Sequence, residues 1–208
     1  MSSTVLSVAT DVLFYYYKCM GEKILVHCCC GPCSTLCLKR LIEEGWDPVL
    51  CYGNSNIWPE EENQKRWEEL LKVARHYGLE VHRVEYNHEA WLEHIRGLEN
   101  EKEGGKRCEK CFDFNLKEAY EEARSLGIRY FTTTLTVSRY KNSQTIFSVG
   151  RSYEGFEAID FKKKDGYAQS IKLSKEMGLY RQQYCGCEFS MDSAEEEDNA
   201  LCTADQVQ

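Results

Sequence analysis

Three short segments of this sequence hold eight cysteines: His27-Cys28-Cys29-Cys30-Gly31-Pro32-Cys33, Cys108-Glu109-Lys110-Cys111 and Cys185-Gly186-Cys187. Thiolates are soft ligands that select zinc, copper(I) or iron–sulfur clusters. One structural zinc takes four of them, so eight is a surplus. A [4Fe–4S] cluster also takes four and leaves the others for a further metal or a reducible dithiol. Adjacent Cys29 and Cys30 would strain the shell of a single tetrahedral ion, but they suit two corners of a larger cube. Iron–sulfur is therefore favoured over zinc. A disulfide between Cys185 and Cys187 would close a small, strained ring that is easily reduced, which fits a two-electron couple; ligation of metal by one or both is the alternative. Cys37 and Cys51 read as small core residues.

The elements that must position these segments alternate. Ile24-Leu25-Val26 and Val49–Tyr52 read as strands, Glu80–Tyr86 as an irregular third, Tyr130–Thr134 as a fourth and Ala158–Phe161 as a short fifth. Helices are expected at Ser34–Glu44, Glu60–His76, His88–Leu98, Cys111–Ser125, Asn142–Ser152 and Tyr167–Met177. On the second of these, Trp67, Leu70, Leu71 and Ala74 share a face. The pattern predicts a single α/β domain, a mostly parallel Rossmann-like (HUP-like) sheet with helices on both faces. Its cysteine-rich metal site lies at the carboxyl ends of the strands. No Walker-type loop or GxGxxG fingerprint follows the first strand, so a nucleotide cofactor has no support. The body runs from 23 to 190, with an extension over 1–22 and an acidic, disordered tail over 191–208.

The chain has 208 residues and a net charge of −8, with 12 cysteines against 5 histidines. No apolar run is long enough to span a membrane and no signal peptide is visible, so a cytoplasmic, reducing location is expected. Seven acidic residues and no basic one lie from Glu188 onward, which leaves Met1–Cys187 at −1. A near-neutral body can still carry a basic patch. Lys162-Lys163-Lys164 with Lys106, Arg107, Arg139 and Lys141 could form one, either a solvated face or a phosphate-binding surface.

The segments HCCCGPC (27–33), EGGKRCEKCF (103–112), FTTTLTVSRYKN (131–142), DFKKKDGYAQS (160–170) and LYRQQYCGCEFS (179–190) resemble the QueH family of epoxyqueuosine reductases. The likeness runs in continuous order from about Lys23 to Ser190. It implies two-electron reduction of epoxyqueuosine to queuosine at the wobble position of tRNA with GUN anticodons, the last step of queuosine biosynthesis. It also implies a [4Fe–4S] cluster on Cys29, Cys30, Cys108 and Cys111. Cys185 and Cys187 then act as a redox-active pair or contribute to an additional mononuclear iron, for which Cys33 is a further ligand. Cys28, Gly31, Asn115, Arg139 and Tyr140 depart from the commonest family residues. Lys162, Lys163 and Lys164 are expected on tRNA phosphates, supported by Arg139, Lys141 and Arg181, with Tyr167 or Trp58 as stacking surfaces. His27 and Tyr184 are candidate proton donors, with a packed or metal-supporting role the stronger reading for each. An electron donor is required but not identified by the sequence. The runner-up is a zinc-stabilised nucleic-acid-binding module without redox activity; a sulfur-transfer enzyme of the nucleotide-binding type is disfavoured by the missing phosphate loop.

Overall fold

The structure, a computed structural model, describes Gly21–Met191. The expected extension and acidic tail lie, except at their inner edges, outside the described residues. Four strands form one parallel sheet: β1 (Glu22–His27), β2 (Trp46–Tyr52), β3 (Val81–Arg83) and β4 (Tyr130–Thr133). Their order is β3-β2-β1-β4, the arrangement of a Rossmann-like half, with β1 at the switch point. The single α/β body of the sequence reading is borne out.

Side chains alternate across β1 and divide the core in two. Ile24 and Val26 pack with Leu36, Leu41, Leu70 and Phe161 on one face. Leu25 packs with Leu116, Ala119, Phe131 and Ile146 on the other. Helices α1 (Gly31–Glu43), α2 (Glu60–Tyr77) and α6 (Gly166–Glu176) serve the first face; α4 (Lys106–Ser125) and α5 (Ser143–Gly150) serve the second, while α3 (His88–His94) lies against α4. Gly31 permits the approach of α1 to α2, since a Cβ there would meet the Glu69 carbonyl oxygen at 2.6 Å. No helix among the described residues is long and apolar enough to cross a membrane.

Two expectations are corrected. Ala158–Phe161 is not a strand: only Phe156 bridges to Phe131. The Thr132 and Thr136 hydroxyls take the carbonyls of Glu157 and Ile159, both at 2.8 Å, so side chains satisfy this backbone in place of a ladder. Helix α4 begins at Lys106 rather than Cys111, which puts both Cys108 and Cys111 on its opening turns.

Glu118, on α4, has a buried Oε2 without a hydrogen-bond partner. Burial pushes its carboxyl up from 4.5 to about 7. The folded state therefore takes up a proton that the unfolded chain does not. This contribution to stability is full below about pH 4.5 and is lost as pH rises through 7. Glu118→Gln is expected to stabilise the fold at pH 8 by about 1–2 kcal/mol, discounted for partial exposure, with no gain at pH 4. Urea denaturation at the two pH values checks this.

Candidate metal centre

β1 ends at His27 and the chain turns through Cys28, Cys29 and Cys30 into the N-terminus of α1. Cys28 turns into the core, donating to the Val26 carbonyl at 3.3 Å. The Sγ atoms of Cys29, Cys30 and Cys33 lie within 4.8 Å of one another. Helix α1 presents its positive end to them, which favours anionic sulfur. Hydrogen bonds from Cys29 and Cys33, with the Arg66 charge beside them, hold Cys30 well below the ordinary thiol range. Cys29 is pushed up to about 12, first by its bond to Cys30, and Cys33 is likewise raised by Cys29 and Cys30. Three sulfurs this close do not all ionise unless a cation joins them.

Cys108 and Cys111 face the same cavity of about 500 Å³ from α4, and Cys185 and Cys187 face it from the segment after α6. Burial raises the thiols of Cys108 and Cys111, and lifts Cys187 to about 11. Cys187 packs with Trp91 and Ile95. The described cysteines are all free thiols. Polar groups address the sulfurs directly: Gln182 Nε2 donates to Cys30 at 3.2 Å, the Gly104 amide to Cys108 at 3.2 Å and the Thr134 hydroxyl to Cys29 at 3.5 Å.

Lys141, read from the sequence among the phosphate contacts, sends its Nζ to 3.1 Å from Cys185 Sγ. Burial works against its charge, but Cys185 and Cys29 outweigh it and its affinity for the proton rises. Arg107 is also removed from the surface patch. It is buried, donates to the Glu99 carbonyl at 2.6 Å and lies over the Phe189 ring at 4.8 Å. His27 is buried, with Nε2 donating to the Gly53 carbonyl at 3.2 Å and Nδ1 bonded to the Thr133 hydroxyl at 2.9 Å. Desolvation drops its pKa to about 4, so it is neutral at pH 7 and serves as a packed residue. Tyr184 donates its hydroxyl to the Trp58 carbonyl.

The sequence reading missed the residues that hold the Cys185-Gly186-Cys187 segment. Arg66 on α2 is 2% exposed. It donates to the carbonyls of Cys185 at 3.0 Å and Tyr184 at 3.4 Å, while its Nε pairs with Glu62 at 2.7 Å. Glu69 accepts from the Tyr180 amide at 3.0 Å, and the Trp58 amide donates to the Gly186 carbonyl at 2.8 Å. Gly186 has φ +138°, and a Cβ on it would stand 2.9 Å from the Arg66 guanidinium. The signal lay in the spacing of Glu62, Arg66 and Glu69, which puts a polar stripe beside the apolar one.

Lys162, at the start of the lysine turn 162–164, lines a surface depression that adjoins the cavity through Tyr140, Lys141 and Asn142. Arg40 donates to the carbonyls of Phe161, Lys163 and Lys164 at 3.1, 2.9 and 3.1 Å. Lys164 and Asp165 take left-handed φ values of 55° and 56°, a cost the surrounding bonds sustain. Lys163 and Lys164 point outward, Lys162 donates to the Lys141 carbonyl and Arg181 donates to Ser174 Oγ at 3.1 Å.

A Rossmann-like sheet with six thiols lining one cavity, two of them grouped with the buried Cys30 in a set that could hold a metal ion, defines an α/β protein with a soft-ligand site at the strand ends. The family model described as epoxyqueuosine reductase QueH matches residues 24–193. The chain belongs to that family. It is 38% identical over 176 residues to the epoxyqueuosine reductase QueH of Thermotoga maritima, covering 81% of this chain and 90% of the relative. It is 36% identical over 178 residues to that of Streptococcus pyogenes serotype M1, covering 80% and 69%. Among solved structures, the NH3-dependent NAD synthetase of Campylobacter jejuni aligns at TM-score 0.45 with 13% identity, over 95% of this chain and 81% of that one.

Proposed function

We propose that this protein reduces epoxyqueuosine to queuosine at the wobble position of tRNA, in the cytoplasm. The observation that carries the reading is the convergence of three cysteine segments on one cavity, in a chain whose residues 24–193 match the family. Cys29 and Cys30 with Cys108 and Cys111 are the ligands for a [4Fe–4S] cluster, and Cys33, packed with the first pair, is available to an additional mononuclear iron. The donor set fits: the sulfurs are soft, crowded and reluctant to ionise together without a cation, so metal binding would displace their protons. Such a cluster, when bound, would supply electron transfer beside the substrate.

The chain's own residues balance the reaction. Removing the epoxide oxygen as water and leaving an alkene takes two electrons and two protons. Closing a disulfide between Cys185 and Cys187 releases both, and an external electron donor reopens it. Lys141 places a positive charge beside Cys185, and Arg66 fixes the backbone that carries the pair. The aromatic side chains of Trp91 and Phe112 and the Ile57 side chain help wall the cavity, which limits water around the reacting centre. Wobble bases sit unpaired in a loop, so bringing one into the cavity costs little. Lys162, Lys163, Lys164 and Arg139 supply phosphate contacts at the mouth.

Anaerobic incubation of iron-loaded protein with epoxyqueuosine-containing tRNA and a reductant tests the reading. Queuosine should appear in the digested nucleosides, with affinity falling steeply as salt rises. Unchanged epoxyqueuosine after incubation with fully loaded protein would refute it.

A further inference from the structure

Beyond the cysteines, the cavity mouth carries an aromatic feature that the reaction itself does not use. Among the described large hydrophobic residues only Trp58, Leu126 and Tyr140 remain exposed, and Tyr140 is the most open at 67%. It lines the cavity and also an adjoining surface depression of about 460 Å³ shared with Arg139 and Lys162. The Arg139 guanidinium lies over the Tyr140 ring at 4.7 Å and over the Tyr167 ring at 5.3 Å. Tyr140 and Tyr167 meet edge to face at 6.4 Å. Two tyrosines are thus clamped by one cation at the entrance, with the lysine turn beside them.

Folding ordinarily covers most of a tyrosine ring, and the described residues leave Tyr140 open. A planar, electron-rich ring backed by a guanidinium, next to a cationic rim, has the chemistry of a stacking platform for an unpaired nucleobase. An apolar protein surface would leave the neighbouring lysines without an anionic counterpart, whereas a nucleotide brings a stacking face and a phosphate together. A base entering the cavity from a loop also brings its flanking bases to this rim, since successive nucleotides are separated by only one sugar-phosphate unit.

We propose that Tyr140, braced by Arg139 and Tyr167, is the platform on which a base flanking the reacting nucleoside stacks, so that the loop is gripped by one base inside the cavity and one on its lip. This rests on the reading of tRNA as the substrate, and it assigns a grip distinct from the phosphate contacts. The test compares Tyr140→Ala and Tyr140→Trp with the unaltered, metal-loaded protein, using tRNA carrying epoxyqueuosine and measuring affinity across a salt series. Stacking is sequence-tolerant and uncharged, so Tyr140→Ala should weaken binding roughly tenfold and raise KM in proportion. The slope of affinity against salt should stay unchanged, and Tyr140→Trp should restore affinity. Lys163→Ala, by contrast, should lower the slope. Affinity of Tyr140→Ala within twofold of the unaltered protein, or a loss that tryptophan does not restore, would overturn the proposal. If the unaltered protein converts the tRNA while either result holds, stacking alone fails; if it neither binds nor converts the tRNA, the substrate reading fails with it.

Discussion

Replacing Cys187 by serine is expected to abolish turnover, by on the order of 10³-fold or more, while leaving the bound iron in place. The reason is positional. Cys187 is buried against Trp91 and Ile95, with its thiol held protonated to about 11. Under the proposed function it is the proton-carrying partner of Cys185, across one glycine, and it lies outside the tight sulfur group at Cys29, Cys30 and Cys33. Cys29→Ala should behave differently and lose both activity and iron, because it removes a sulfur from that group. Metal analysis and conversion assays on the two variants, prepared anaerobically, separate the roles. Equal iron loss in both would place Cys187 among the ligands.

Arg66→Met should be the most damaging substitution away from the sulfurs. It leaves the Glu62 carboxylate, whose side chain is only 11% exposed, without its cation and with the Tyr180 hydroxyl at 3.1 Å as its remaining partner, and it removes the donor from the carbonyls of Tyr184 and Cys185. Removing one partner of a buried pair costs about 3–5 kcal/mol. A displaced pair of reacting sulfurs costs a further factor on the order of 10² in rate. Adding Glu62→Gln should recover part of the stability but not the rate, since the carbonyl contacts to the redox segment stay lost. Denaturation midpoints and conversion rates on the single and double variants check this, and a full recovery of rate would remove Arg66 from its positioning role.

Much of this was legible in the residues. The β-type runs at Ile24–Val26, Val49–Tyr52 and Tyr130–Thr134 read correctly because both sheet faces are buried and the runs are apolar. The cysteine segments read correctly as neighbours because all lie at one end of a parallel sheet. What failed did so for local physical reasons. Ala158–Phe161 reads as a strand from its apolar residues, but the Thr136 hydroxyl takes the Ile159 carbonyl and no ladder forms there. The start of α4 was placed late because Lys106-Arg107 lacks an apolar rhythm, yet Arg107 is buried by capturing loop carbonyls. Arg66 escaped notice since a charged residue mid-helix reads as solvent-facing; only the later segment at 184–185 gives it partners, 118 and 119 residues away. Lys141 reads as a phosphate contact because nothing near it in the chain shows its partner Cys185, 44 residues on.

The central claim is that the cysteine segments from β1, α4 and the chain after α6 share one iron-bearing centre. Iron, sulfide and zinc quantified on anaerobically prepared protein, with its visible spectrum recorded before and after dithionite, tests it most directly. The account predicts about four irons per chain or slightly more, matching sulfide, and a broad band near ~400 nm that bleaches on reduction. Colourless protein with one zinc per chain and no sulfide, from cells grown with ample iron, would contradict it.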